Sequence, residues 1–152
     1  MLSFPQKAVE RFEILQTLIG LDVELKNAEP ETYAGLYIRH SPGFRIITLF
    51  TSNGEEIVRS YVPDDLFEYV EVQPVSISYF GLLQSQTRIT DTLNNMGVDT
   101  ESHIDVRENR VVVNVMDLNR IDAAIQENEL EIPDYVEIIK VGKFGIPKNA
   151  SA

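Results

Sequence analysis

Phe44-Arg45-Ile46-Ile47 and Glu68-Tyr69-Val70-Glu71 have counterparts later in the chain, Asn109-Arg110-Val111-Val112 and Asp134-Tyr135-Val136-Glu137. Arg45 and Arg110 are 65 positions apart, and Tyr69 and Tyr135 are 66 apart. Upstream, Ile38 and Ile104 are again 66 apart. Agreement of identities, order and spacing is the mark of an internal duplication. The fold is read outward from these matched segments.

Residues 33–39 and 44–50 are rich in aromatic and β-branched side chains, and Ser41-Pro42-Gly43 between them is turn chemistry. The pair is predicted to be a hairpin. Ser52 with Glu55 has capping-box spacing and opens a short helix through Ile57, Val58 and Tyr61. Pro63-Asp64-Asp65 ends that helix, and 67–75 alternate as a strand. The second half repeats the order. Strands are predicted at 102–106 and 110–116, joined by Arg107-Glu108-Asn109. Asp117 caps a helix through Ile121, Ala124 and Ile125, and Pro133 precedes a strand at 135–141.

A helix precedes each hairpin. Ser3, Pro5 and Gln6 mark the start of the first. Its apolar stripe is Ala8, Phe12, Leu15 and Ile19, and Gly20 is read as its stop. Residues 22–32 are polar and acidic, contain Pro30, and read as a linker. Ser78 opens the second long helix, whose stripe is Tyr79, Leu82, Leu83, Ile89, Leu93 and Met96 and whose end is Gly97. The predicted class is α+β: two tandem α-β-β-α-β units, each a two-layer sandwich of helices on an antiparallel or mixed three-stranded sheet. The boundaries expected are 1–32 for the N-terminal helix and linker, 33–76 and 77–141 for the repeats, and 142–152 for an extended tail.

Composition narrows the function. The 152 residues carry 13 basic and 24 acidic side chains, a net charge of −11. Nucleic-acid affinity rests mainly on Lys and Arg, and anionic membrane surfaces attract the same residues, so neither is expected as a partner. No apolar run approaches the ~20 residues of a membrane span. With no cysteine, the chain has no disulfide, thiol nucleophile or thiolate metal site. The start, Met1-Leu2-Ser3-Phe4-Pro5, lacks the basic and apolar regions of a signal peptide.

Catalytic patterns are sparse. His103 and Asp105, two apart on a strand, share a face and could orient a general base, but no nucleophile-elbow motif accompanies them. A half-exposed strand histidine is the simpler reading. His40 and His103 lie 63 positions apart and make no metal-ligand spacing. Glu55-Glu56 suits the first turn of a helix and Asp64-Asp65 a turn. Gly142-Lys143-Phe144-Gly145 has the spacing of a KH-type backbone clamp, yet it follows a strand in an acidic chain. Asn149-Ala150-Ser151 is a glycosylation triplet of a kind common by chance. No enzyme activity, cofactor or metal is expected. After Glu137 there are no acids while Lys140, Lys143 and Lys148 remain, so an acidic body ends in a basic tail.

The stretch Ser102-His103-Ile104-Asp105-Val106-Arg107-Glu108-Asn109-Arg110-Val111-Val112-Val113, followed by Asp117 and Ile121, resembles the pro-region of α-lytic-protease and streptogrisin-type serine proteases. Tyr33-Ala34-Gly35-Leu36-Tyr37-Ile38 with Phe44-Arg45-Ile46-Ile47-Thr48-Leu49-Phe50 is similar to the first half of the same pro-regions, and together the likeness covers residues 33–141. It implies a duplicated, non-catalytic α/β pro-domain that assists folding of a trypsin-like serine protease, in cis or in trans, and then inhibits it. It further implies that 102–116 and 135–141 pair with a protease hairpin and that the tail enters the active site. The partner-binding residues so implied are Val113, Val115, Val141, Gly142, Lys143, Phe144, Gly145 and Ile146. As part of a protease precursor the chain would be secreted or extracytoplasmic. Without a protease partner, the same features describe a stand-alone protein-interaction domain.

Overall fold

Val, Ile, Tyr and Phe cluster where strands form, because branched and aromatic side chains fit a half-buried pleated surface. The computed structural model describes residues 4–145. Strands β1 (Tyr33–Arg39) and β2 (Arg45–Phe50) pair antiparallel, with Arg39 opposite Arg45 and Leu36 opposite Thr48. A helical connection, α2 (Gly54–Tyr61) then α3 (Asp64–Phe67), leads to β3 (Val70–Pro74), which runs parallel to β2 with Ile46 beside Val70. The order β1-β2-β3 recurs as β4 (Thr100–Asp105), β5 (Arg110–Val115) and β6 (Val136–Lys140), with α5 (Asn119–Gln126) in the crossover. Helices α1 (Phe4–Ala28) and α4 (Tyr79–Asn95) precede the two hairpins. The chain is thus α+β, with two α-β-β-α-β units on mixed three-stranded sheets. Chain contacts divide it at Phe80, into Met1–Phe80 and Gly81–Ala152.

The largest departure from the sequence reading is α1. It does not stop at Gly20 but runs to Ala28, so the stretch read as a linker is mostly helix and the chain enters β1 after a four-residue turn. A helix tolerates an internal glycine when the turns on either side are held. Here Leu18, Leu21 and Leu25 are all buried against Tyr33, Ile46, Phe50 and Val58. The stripe singled out from the sequence points the other way: Phe12, Leu15 and Ile19 are exposed. A Cβ built on Gly20 meets nothing within 4 Å. Gly20→Ala is therefore expected to raise stability by about 0.5–1 kcal/mol, read as a higher urea midpoint, because it removes backbone freedom from the unfolded chain without a clash.

The burial pattern of α4 matches that of α1. Leu21 and Leu25 correspond to Ile89 and Leu93, each pair 68 positions apart, and all four are buried. The duplication therefore includes the leading helices. Gly97 ends α4 as expected, at φ +81, with the Val98 amide donating back to the Leu93 carbonyl. The Ser52–Glu55 capping box does not form. The N-cap of α2 is Asn53, in the left-handed region at φ 56, and no side chain caps the helix. The next residue explains the tight entry: a Cβ on Gly54 would lie 2.5 Å from Val72 Cγ1 and 2.9 Å from Phe50 Cδ2, so α2 starts almost in contact with the sheet. Asp117 accepts the Asn119 amide at 2.8 Å, but it lies one residue before the N-cap of α5, which is Leu118. The Ser3 cap lies outside the described residues.

In the first unit the phenol of Tyr33 is wholly buried and donates to Asp22 at 2.6 Å, and Asp22 also pairs with Lys26 at 2.9 Å. Burial, then the hydrogen bond and the negative charge of Asp22, hold the Tyr33 pKa well above its ordinary value of 10.0. In the unfolded chain this phenol ionises near pH 10; in the folded chain it stays protonated. Above that pH the unfolded state binds fewer protons, so stability falls as pH rises. Tyr33→Phe is expected to flatten that alkaline decline, seen by comparing urea midpoints of the two proteins at about pH 8 and pH 11.

Candidate functional site

Alternation along β5 decides which backbone groups of the second sheet are spent. The Val111 amide donates to the Tyr135 carbonyl at 2.9 Å, and the Val115 carbonyl accepts from Val141 at 2.7 Å. Val111, Val113 and Val115 therefore turn their backbone toward β6, and Arg110, Val112 and Asn114 toward β4. Their partners on β4 are Asp105, His103 and Glu101. It follows that the N–H and C=O groups of Thr100, Ser102 and Ile104 point away from the sheet. β4 is an edge strand, and these are its open side.

The last described residues reach the start of β4. β6 ends level with the end of β5 and the start of β4, since Val115 faces both Lys140 and Thr100. From there Gly142, Lys143 and Phe144 lead to Gly145, whose amide donates to Glu101 of β4 at 3.1 Å. Two strand spacings are about 9.6 Å, within reach of four extended residues. The segment thus crosses the end of the sheet from β6 to β4. Gly145 has φ +77, a conformation suited to glycine, with nothing within 4 Å of a Cβ. Gly142 and Lys143 are exposed and Phe144 is half-buried.

Several residues expected at a partner surface sit elsewhere. Val113 and Val115 are fully buried in the central strand, with neighbours on both sides. They support the sheet and present no side chain to solvent, so in this unit an added strand could pair only with an edge strand. Val141 is engaged with Val115, and Ile146 lies outside the described residues, as do Lys148 and the Asn149 triplet. The sequence reading missed Glu101, the residue that holds the tail. An acid at the start of a strand carries no signal of that role.

No known protein-family model matches the chain, and a search of curated proteins gives no match. The remaining sequence candidates are placed as follows. His103 is exposed on β4 opposite Val112. Asp105 accepts the Glu108 amide at 3.1 Å and so ties down the hairpin turn. Glu55 and Glu56 occupy the first turn of α2, and Asp64 and Asp65 that of α3. Among the described residues no group of three or more His, Asp or Glu side chains could hold a metal ion, and no helix is long and apolar enough to cross a membrane. The duplicated glutamates keep an arginine by different routes: Glu71 pairs with Arg39 at 3.3 Å, Glu137 with Arg110 at 3.0 Å. Both pairs are well exposed and contribute little to stability.

Proposed function

We propose that this chain is a non-catalytic module that binds a trypsin-like serine protease, assists its folding and then inhibits it, as the pro-regions it resembles do. The open side of β4 adds a strand to a protease hairpin, and the tail from Gly142 onward enters the active-site cleft. The observation that supports this reading is the juxtaposition of the two parts: the Gly145 amide is held by Glu101, one residue from the outward-facing backbone of Ser102. The template strand and the start of the tail thereby lie close together.

The physics is that of strand addition. Main-chain hydrogen bonds supply affinity, and the side chains alternating along the added strand supply specificity. Long-range β pairing is slow to nucleate, because loop-closure entropy is lost before contacts form. A preformed edge that binds the native-like hairpin better than the unfolded chain shifts the protease toward its folded state. On this reading the module acts outside the cytoplasm, beside its protease. The test is to mix the chain with a streptogrisin-type protease at micromolar concentration. Co-elution and loss of proteolytic activity are expected; full activity with separate elution would overturn the proposal.

A further inference from the structure

Helix α1 carries two apolar stripes, and only one is used within the first unit. Successive residues turn by about 100°, so Ile14, Leu18, Leu21 and Leu25 fall within an arc of about 60°. That arc faces the sheet: Leu18, Leu21 and Leu25 are buried, and Ile14 packs against the same cluster. Phe12, Leu15, Ile19 and Val23 occupy a second arc of about 80°. They are 60%, 44%, 67% and 54% exposed. Four large apolar side chains in a row are not scattered surface hydrophobics. Beside them lies a groove of about 290 Å³ between α1 and β1, lined by Leu15, Leu18, Ile19, Val23, Leu36 and Ile38 among others.

We propose that this stripe is a homodimer interface, on which α1 of one copy packs antiparallel against α1 of a second copy. The spacing 12-15-19-23 is close to symmetric about residue 17. Antiparallel pairing sets Leu15 against Ile19 of the second copy and Phe12 against its Val23, matching a large with a smaller side chain at each end. Charge is compatible with the same arrangement. Arg11 and Asp22 lie on one flank of the stripe, about 20° apart around the helix and at opposite ends of it. In a two-fold antiparallel pair, like flanks meet, so each Arg11 comes beside Asp22 of the other copy, whose carboxylate also holds Tyr33 and Lys26 of its own chain. Parallel pairing sets Arg11 beside the uncharged Gln16 instead.

The other flank carries Gln16 and Gly20, both uncharged, while Glu10, Glu13 and Glu24 lie more than about 100° from the middle of the stripe. Lys26 falls within the arc of the stripe and pairs with Asp22 on its flank, so a chain of net charge −11 meets its copy on a face whose one nearby acid is already paired. The four side chains expose roughly 400 Å² per copy, about half of the ~800 Å² per partner of a standard specific interface. With the flanks and part of the groove added, the pair falls at the small end of interfaces. Its expected dissociation constant lies in the micromolar range, on the order of 1–100 μM.

The test is sedimentation velocity of the whole chain across that concentration range. The expected result is a sedimentation coefficient that rises with concentration from monomer toward dimer. Ile19→Lys, and separately Phe12→Lys, are expected to weaken association at least tenfold while leaving circular dichroism and melting unchanged, since both side chains are exposed. Because the chain has no cysteine, single introduced thiols report the pairing direction. Phe12→Cys mixed with Val23→Cys is expected to form a mixed disulfide, and Val23→Cys alone to form none with itself. A monomer throughout, a dimer indifferent to both lysine variants, or a Val23→Cys self-disulfide would each overturn the proposal.

Discussion

Leu93→Ala is expected to cost about 2–5 kcal/mol of stability, read as a fall in the urea midpoint with an unchanged slope. Leu93 is wholly buried in α4, as are Ile89 and Leu82 on the same face. Truncation removes the transfer free energy of three carbons and leaves a cavity that a helix held at its middle and at one end closes poorly. The Gly97 turn holds one end, and a hydrogen bond of 2.6 Å between the Ser85 and Tyr135 hydroxyls ties the middle to the start of β6. Against the 5–15 kcal/mol total of an ordinary domain, such a loss is a large fraction. Leu25→Ala, the equivalent change in α1, is expected to cost as much, since Leu25 is equally buried among Tyr33, Phe50 and Val58. Equal costs at 25 and 93 would be the energetic signature of one unit used twice.

The second large effect is on binding. Ser102→Pro is expected to weaken association with a streptogrisin-type protease at least tenfold, about 1.4 kcal/mol, in a titration monitored by residual activity. Proline at 102 removes an N–H that faces away from the sheet and puts a ring where the added strand must lie. The ladder between β4 and β5 does not use that N–H. Ser102 also accepts a hydrogen bond from Gln86 Nε2 at 3.0 Å. Ser102→Ala loses that bond but keeps the backbone donor, and is expected to bind as the unaltered chain does. If both variants weaken binding alike, the side chain and not the strand edge carries the contact.

Strands were legible because their residues are stiff at χ1 and apolar in runs, and because each run is bounded by glycine, proline or asparagine. β1 spans the residues expected, β2 and β5 differ by one residue at one end, and β6 is shorter by one residue at each end. β3 begins three residues later than expected, because Asp64–Phe67 forms a short helix. The duplication was visible too, since Tyr-Val-Glu recurs at the same place in both sheets. What misled was α1. Periodicity counts apolar residues around a helix but does not say which side meets the sheet, and this helix has two such sides. Taking Phe12, Leu15 and Ile19 as the core stripe made Gly20 look like an end. The stripe through Leu18, Leu21 and Leu25 continues past it, and comparison with Ile89 and Leu93 is the signal that could have found it.

The proposed partner surface was less legible. A run such as Val111-Val112-Val113 with Val115 reads as strand wherever it sits, but side chains buried in such numbers belong to a central strand, not an exposed one. Which strands are edges depends on the crossover through α5, which carries the chain past β5 to lay β6 on its far side. That is a property of topology, so the open backbone of Thr100, Ser102 and Ile104 could be assigned only once the strand order was known. The tether between Gly145 and Glu101, 44 positions apart, is likewise a tertiary contact with no local pattern.

Strand addition at β4 is tested most directly by amide hydrogen exchange of the chain with and without a bound streptogrisin-type protease. The Ser102 and Ile104 amides, which face away from β5, are expected to slow markedly in the complex, while Val113 in the central strand changes little. A complex that forms with Ser102 and Ile104 exchanging at their free rates would contradict it.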